Sequence, residues 1–177
     1  MSTATDAAFS HRLALKPGAA ARPATRRVAD ATERAAVAKR LAIAAVEALE
    51  VEAMVECVDG VYRCRGEVRA HVAQTCVVTG APVTQEVEAG FERFVVVGDT
   101  PAPVGELEVD PDERDVDFVD EPVVDLGEIA VEELALALEP YPRAADADAT
   151  LAAVNRSVDD APARRPFAVL AQRRAPS

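Results

Sequence analysis

The chain has 177 residues, half of them hydrophobic, and a formal net charge of −12, which fits one soluble domain with a real core. Only five Phe, two Tyr and no Trp are present, which excludes the aromatic stacking platforms that grip single-stranded nucleic acid. No apolar run reaches the roughly 18 residues of a membrane helix, and residues 1–10 lack a secretory signal pattern. We therefore expect a cytoplasmic protein without a membrane partner.

The charge is distributed unevenly along the chain. Residues 95–160 hold 3 basic and 19 acidic side chains, whereas residues 1–49 hold 8 basic and 4 acidic ones and residues 161–177 hold 4 basic ones and no acidic ones. An acidic centre between basic ends favours a basic partner, or else serves solubility alone. This charge balance argues against a broad phosphate-binding surface, although it allows local phosphate contacts through arginines.

The first third of the chain predicts a short strand and a helix. Apolar residues alternate from Phe9 to Leu15, as in a strand. Asp30 and Glu33 form a capping-box pattern at the start of a helix. The residues predicted to share the buried face of this helix are Ala38, Leu41, Ala42, Ala45, Ala48 and Leu49. The face is poorly defined near Ile43, where we expect a break.

Three strands are predicted next, because the apolar period changes from helical to alternating. The first covers 51–57, Asp59-Gly60 is a hairpin turn, and the second covers 62–72 with one apolar and one charged face. A turn at 79–82 leads to a third strand over 83–97. Its phase slips near Gly90, which predicts a β-bulge there.

The remainder of the chain predicts an acidic loop, a helix and a tail. The loop covers 98–122 and contains short strands at 107–109 and 116–119. Asp125 and Glu128 form a second capping-box pattern. The apolar face of the helix behind it comprises Ala130, Leu134, Ala137 and Leu138, and Pro140 and Pro142 end it. We expect a single domain over 1–143 and a mobile Ala/Asp-rich tail over 144–177 that ends in an apolar plug at 166–170.

These elements predict an α+β fold. Its antiparallel sheet curls toward a barrel and packs against the N-terminal and C-terminal helices.

Motifs for catalysis are absent from the sequence. There is no Gly-x-Ser-x-Gly, Walker loop, His-Glu-x-x-His or Gly-x-Gly-x-x-Gly pattern, so we expect no catalytic residue and no cofactor. A metal site from Cys57, Cys64, His71 and Cys76 is the sharper alternative. Zinc sites usually contain a tight Cys-x(2–4)-Cys pair, whereas the successive gaps here are six, six and four residues and no two cysteines are that close. Strand alternation also places Cys64 and His71 on opposite faces. We therefore predict free structural thiols and no metal.

Two ordered blocks of sequence resemble a known family. The first contains Gly66, Val68, Ala70, Val72, Gln74, Thr75, Cys76, Val77, Val78, Thr79 and Pro82, followed by Val87, Phe91 and Val95. The second contains Asp125, Leu126, Gly127, Glu128, Ile129, Glu132, Glu133, Leu134, Leu136, Leu138, Pro140 and Pro142. Together they resemble the YceD family of large-subunit ribosomal RNA accumulation proteins. The ending at 166–170 is similar to that of the alphaproteobacterial members.

The resemblance implies structural roles for several residues and no reaction. The motif positions expected to be structural are Gly66, Cys76, Pro82, Asp125, Leu126 and Glu132. Many family members carry Cys-x-x-Cys where this chain has Cys76 and Thr79. A metal or redox role for that turn is therefore not expected.

The function implied is that of a non-enzymatic factor that supports 23S ribosomal RNA maturation or large-subunit assembly, without a small-molecule substrate. The favoured mechanism is binding of a basic ribosomal protein or assembly factor by the acidic lobe at 106–139. Its candidate residues are Asp110, Asp112, Glu113 and Asp115. The first alternative is direct ribosomal RNA contact through Arg63, Arg65 and Arg69, which share one strand face. A distant alternative is an uncharacterised enzyme that uses the turn at 76–82.

Overall fold

The computed structural model describes residues 7–16, 23–98 and 116–160 of the chain, and it is an α+β structure. Its strands are β1 (Arg12–Ala14), β2 (Thr25–Val28), β3 (Ala45–Val58), β4 (Val61–Thr75), β5 (Pro82–Val97), β6 (Val116–Val119) and β7 (Val123–Asp125). Its helices are α1 (Ala31–Arg40), α2 (Leu126–Ala137) and α3 (Ala147–Asp160). No helix in these ranges combines the length and apolar character that a membrane crossing requires.

Five strands form one sheet in the order β2-β3-β4-β5-β6. All neighbours are antiparallel except β5 and β6, which are parallel, so the sheet is mixed. The expected curl toward a barrel is wrong for the described residues, because β2 and β6 lie at opposite edges and do not pair. Each has only four residues, beside central strands of 14 to 16 residues, so neither edge extends far enough to close the sheet. The predicted first strand, β1, pairs with β7 instead.

The core lies on one face of this sheet, which we call the inner face. Alternate residues of the three long strands, such as Val51, Val68 and Phe91, are buried there together with Leu126 and Leu134 of α2. Residues of α1 join the same cluster. The alternation predicted for 51–57 and 62–72 is therefore confirmed, because each strand contributes every second side chain to the core.

Helix α1 begins as predicted and ends earlier. The Asp30 carboxylate accepts hydrogen bonds from the Thr32 and Glu33 N–H groups, and the Glu33 carboxylate accepts one from the Asp30 N–H, which completes the capping box. The predicted extension to Leu49 is wrong, because β3 begins at Ala45. Ala42 has a φ of 53°, a left-handed conformation that turns the chain into the strand.

The position of the β-bulge also differs from the prediction. β4 and β5 pair without interruption from Tyr62↔Val95 to Thr75↔Pro82, so Gly90 is not a bulge. The irregularity lies in β3 between Val46 and Ala48. The Asp59-Gly60 hairpin is confirmed, and both residues have positive φ, as a two-residue type I′ turn requires.

The C-terminal elements match the prediction in part. β6 coincides with the predicted strand at 116–119, and α2 ends at Ala137 shortly before the two prolines. Helix α3 occupies part of the segment predicted as a mobile tail, and it was not predicted. The predicted strand at 107–109, most of the acidic loop at 98–122 and the plug at 166–170 lie outside the described residues.

Two glycines on neighbouring strands give a matched test of the packing. A Cβ on Gly66 would lie 2.7 Å from Ala53 Cβ and 2.8 Å from Phe91 Cζ and would also strike the Glu52 carbonyl, whereas a Cβ on Gly90 would meet only Gly66 O at 3.9 Å. We expect Gly66→Ala to lower the free energy of unfolding by about 1–3 kcal/mol, because a crowded core must then shift. Gly90→Ala serves as the control and should not destabilise the protein. Equal effects in urea denaturation would contradict the packing role of Gly66.

Candidate protein-binding face of the sheet

Most charged side chains of β2 to β5 lie on the face opposite the core, which we call the outer face; Arg27 and Arg93 are on the inner face. The register places Glu50, Arg69 and Glu88 side by side on β3, β4 and β5. Because side chains alternate along each strand, every second residue joins them. The arginines of the outer face are Arg26, Arg63, Arg65 and Arg69. The glutamates are Glu47, Glu50, Glu52, Glu56, Glu67, Glu86, Glu88 and Glu92.

Arg63 is one of the candidate RNA contacts, and it is paired with two glutamates of the same face. Its guanidinium lies 2.5 Å from Glu92 and 3.3 Å from Glu56, on the strands to either side. The hydrogen bond to Glu92 is the main reason that the pKa of Arg63 is raised. An RNA phosphate would have to compete with both carboxylates.

Arg69 is surrounded in the same way by three glutamates. It lies 2.6 Å from Glu67, 2.9 Å from Glu88 and 3.8 Å from Glu50. Arg65 differs, because its Nε donates to Met54 Sδ at 3.2 Å and no ion pair involves it among the described residues. The structure thus places the three predicted arginines on one face, and it leaves one of them without a carboxylate partner in the part described.

The outer face carries an excess of negative charge, since its eight glutamates outnumber its four arginines. The crowding of carboxylates is visible in the Glu67–Glu88 pair. A hydrogen bond to Glu88 raises the pKa of Glu67, whereas bonds from Arg69 and Glu67 lower the pKa of Glu88. Glu67 therefore retains a proton more readily than an isolated glutamate, because a second carboxylate lies against it. A cationic side chain from a partner would relieve this repulsion.

The metal-site alternative fails on geometry within the described residues. Cys64 lies 1% exposed on the inner face, whereas His71 lies on the outer face with its Nδ1 2.7 Å from Glu47 Oε2. No cluster of three or more metal-ligating side chains is found in those residues. The three cysteines are free, and the buried Cys64 thiol has a pKa raised to about 11 by burial.

Cys76 joins the β4–β5 turn to the chain behind α2. Its Sγ accepts hydrogen bonds from the N–H groups of Ala144 at 3.2 Å and of Val78 and Thr79 at 3.4 Å each. The bond from Ala144 contributes most to lowering the pKa of the thiol to about 7, followed by Thr79. The side chain is 2% exposed. These contacts connect the β4–β5 turn to the backbone at Ala144.

Asp125 organises the junction between the N-terminal segment and α2. Its carboxylate accepts hydrogen bonds from Ser10 Oγ at 2.6 Å, from the His11 N–H at 2.7 Å and from the Gly127 and Glu128 N–H groups. Burial raises the pKa of Asp125, but the bonds from Ser10 and the three N–H groups outweigh it, so the pKa is lowered overall. The predicted N-cap is thus confirmed, but the predicted capping box is not complete, because the Glu128 carboxylate pairs with Arg40 instead of the Asp125 N–H.

The side chains of Glu128 and Glu132 attach α2 to its neighbours. The Glu128 carboxylate accepts hydrogen bonds from Arg40 of α1, one of them at 2.7 Å, so this side chain connects the two helices. The Glu132 carboxylate lies 3.3 Å from Arg93, whose guanidinium is also 2.7 Å from Glu133. The motif residues of this segment therefore hold α2 to α1 and to β5.

Two glutamines hold the other end of α2, a role that the sequence did not reveal. Gln74 Nε2 donates to the Glu139 carbonyl at 3.0 Å and Gln85 Nε2 donates to the Ala137 carbonyl at 3.0 Å. Gln85 Oε1 also accepts from the Glu139 N–H. Helix ends leave carbonyl groups without partners, and these amides supply them. In the sequence, each glutamine is a polar residue at a strand position that faces the core, and such a residue indicates a buried hydrogen bond.

A family model described as "Large ribosomal RNA subunit accumulation protein YceD" matches residues 64–172, which is more than half of the chain. The chain belongs to the YceD family. The match includes most of β4, all of β5, Asp125 and α2, so the resemblance drawn from the two sequence blocks is confirmed for the family. No significant match is found among curated proteins or among solved structures.

The Asp125 junction gives a test that separates capping from charge-specific chemistry. We expect Asp125→Ala to lower the free energy of unfolding by about 1 kcal/mol or more, because the cap and the tie to the N-terminal segment are both removed. Asp125→Asn should retain most of the stability, since an Asn also caps. Because the folded pKa is lowered, the stability that depends on the carboxylate is present at neutral pH and is lost as the pH falls through the folded pKa. Denaturation of both variants at pH 7 and in acid measures these effects.

The cysteines give a second test through their thiol pKa values. The difference in thiolate absorbance near 240 nm between the wild type and Cys76→Ser should titrate near pH 7, whereas the difference for Cys64→Ser should appear only near pH 11. Since the folded pKa of Cys76 is lowered, its thiolate adds stability that is complete above the unfolded pKa and lost as the pH falls through about 7. Equal titrations of the two thiols would contradict the hydrogen-bonding geometry at the turn.

Proposed function

We propose that this YceD-family chain is a non-enzymatic cytoplasmic factor that supports 23S ribosomal RNA maturation and large-subunit assembly by binding a basic protein partner through the outer face. Membership of a family associated with large ribosomal RNA subunit accumulation supports the process. The partner in this proposal is a ribosomal protein or an assembly factor. The similarity of 166–170 to alphaproteobacterial members supports membership of that subtype.

The observation that carries the proposal is the excess of carboxylates on the outer face. Eight glutamates face four arginines there, and Arg63 and Arg69 are each held by two or more of these glutamates. A field of this sign attracts a cationic protein and repels a polyanion. The predicted acidic lobe with Asp110, Asp112, Glu113 and Asp115 would add to the same field, and its role stays a prediction because those residues lie outside the described ranges.

Two rival functions are weakened by the same contacts. RNA binding through Arg63, Arg65 and Arg69 requires Arg63 and Arg69 to leave their glutamates. Catalysis at the turn over 76–82 requires a thiol that is 2% exposed and already accepts three backbone hydrogen bonds. Direct RNA contact remains the second candidate because Arg65 has no ion pair in the described part.

The test is affinity capture from bacterial lysate with and without ribonuclease, using a triple variant. Glu47→Gln, Glu52→Gln and Glu86→Gln together remove three negative charges from the outer face and disrupt no arginine pair of the described residues. We expect the wild type to retain a basic protein after ribonuclease treatment and the variant to release it. A control with Asp146→Asn and Asp148→Asn removes negative charge from exposed sites that lie outside both the outer face and the predicted acidic lobe, and it should retain the partner.

The RNA alternative is tested by filter binding to 23S ribosomal RNA fragments at physiological salt. Alanine at Arg63, Arg65 and Arg69 should have little effect if the partner is a protein. If these arginines neutralise phosphates, the slope of log affinity against log salt should fall by about 0.7–0.9 for each arginine–phosphate pair that the variant removes. Disappearance of strong RNA binding in a folded triple-alanine variant would replace our proposal by direct RNA contact.

A further inference from the structure

An apolar groove lies at one end of the acidic outer face, beside the β3–β4 hairpin. Its volume is about 570 Å³, and its apolar lining consists of Val58 and Val61 of the hairpin, Phe94 of β5 and Val116 of β6. Val58 is 60% exposed, so its side chain is accessible to a partner at this surface. The groove has the size of a ligand or side-chain pocket in proteins.

The rim of this groove is acidic. Glu56, Asp59 and Glu92 line it together with one cation, Arg63. That cation is held between Glu56 and Glu92, so its charge is directed at residues of the rim itself. An apolar floor with a negative rim combines an anchor for a hydrophobic side chain with attraction for positive charge, which is the arrangement of a binding hot spot surrounded by polar groups.

We propose that this groove anchors an apolar side chain within a basic segment of the protein partner. The inference rests on the proposed function and gives it a specific site. Charge complementarity decides among the occupants. A second copy of the chain has a net charge of −12 and an equally acidic rim, so the two copies would repel each other. The chain's own segment 99–115 is rich in Asp and Glu and would be repelled in the same way. An anionic lipid surface would also be repelled by this rim.

The probe for this proposal is a pair of synthetic peptides with a terminal dye. One has six lysines around a central Trp-Leu pair, and the other has Ser-Ser at the centre. Because the chain contains no Trp, the emission of the peptide Trp reports only on the peptide's own surroundings. We expect the Trp-Leu peptide to bind more tightly by fluorescence anisotropy, with its Trp emission shifted to the blue as the ring leaves water.

The variants are chosen to change polarity while keeping shape. Val58→Thr with Val116→Thr keeps branched side chains in both strands, and Val58→Thr alone affects a residue that is mostly exposed. Val28→Thr is the matched control, because Val28 is 49% exposed on the same outer face but does not line the groove. We expect the double variant to reduce the preference for the Trp-Leu peptide about fivefold or more, and the control to leave it unchanged.

The outcomes separate failure of the groove from failure of the proposed function. If both peptides bind equally and both are weakened by the Glu47, Glu52 and Glu86 to Gln triple variant, the groove proposal is overturned and the acidic face stands. If that triple variant binds the Ser-Ser peptide as tightly as the wild type does, the acidic face does not attract cations. Both the proposed function and the groove proposal are then overturned. If sedimentation shows a dimer that Val58→Thr dissociates, a second copy is the occupant and our proposal is wrong. An equal effect of Val28→Thr would also overturn it.

Discussion

The alternation of side chains along three long antiparallel strands, which a bulge interrupts near the start of β3, is the constraint on which the rest of the structure depends. β3, β4 and β5 each extend over 14 to 16 residues, and a slip of one residue would exchange their faces. Val51, Val68 and Phe91 would then meet water and the glutamates would meet α2. Burial of the inner residues therefore fixes the position of every charge on the outer face, although those charges contribute little to the register themselves.

The elements with a strong local signal were predictable from the sequence. The capping box at Asp30, the type I′ turn at Asp59-Gly60 and the alternation of β4 are short-range patterns, and the structure contains all three. The break near Ile43 was expected, but the strand after it was not predictable, because the alanines and leucines near Ala45 and Leu49 fit a helix and a strand equally well by sequence alone. Pairing with β4 decides the matter, since partner strands override the weak preference of alanine.

The features of the surface that could not be predicted from the sequence depend on contacts between segments that are distant in the chain. The sequence placed Arg63, Arg65 and Arg69 on one face, but it did not identify the glutamates of β3 and β5 that surround two of them, because those partners depend on register. The glutamine hydrogen bonds with the end of α2 join residues 52 or more positions apart. The groove combines the β3–β4 hairpin with a parallel strand, β6, and no local pattern contains both.

The ion pairs of the outer face are compatible with its proposed use, because exposed pairs are weak. Each contributes at most about 1 kcal/mol, since water and salt screen the attraction and long side chains must be held in place. A basic partner can therefore take over carboxylates such as Glu92 from Arg63 with little change in free energy. A polyanion has no equivalent route, because it gains an arginine only by leaving two or three glutamates unneutralised around it. The same array of charges thus allows exchange with cations while it discourages phosphate, and the apolar groove beside it adds the short-range attraction that charge alone does not provide.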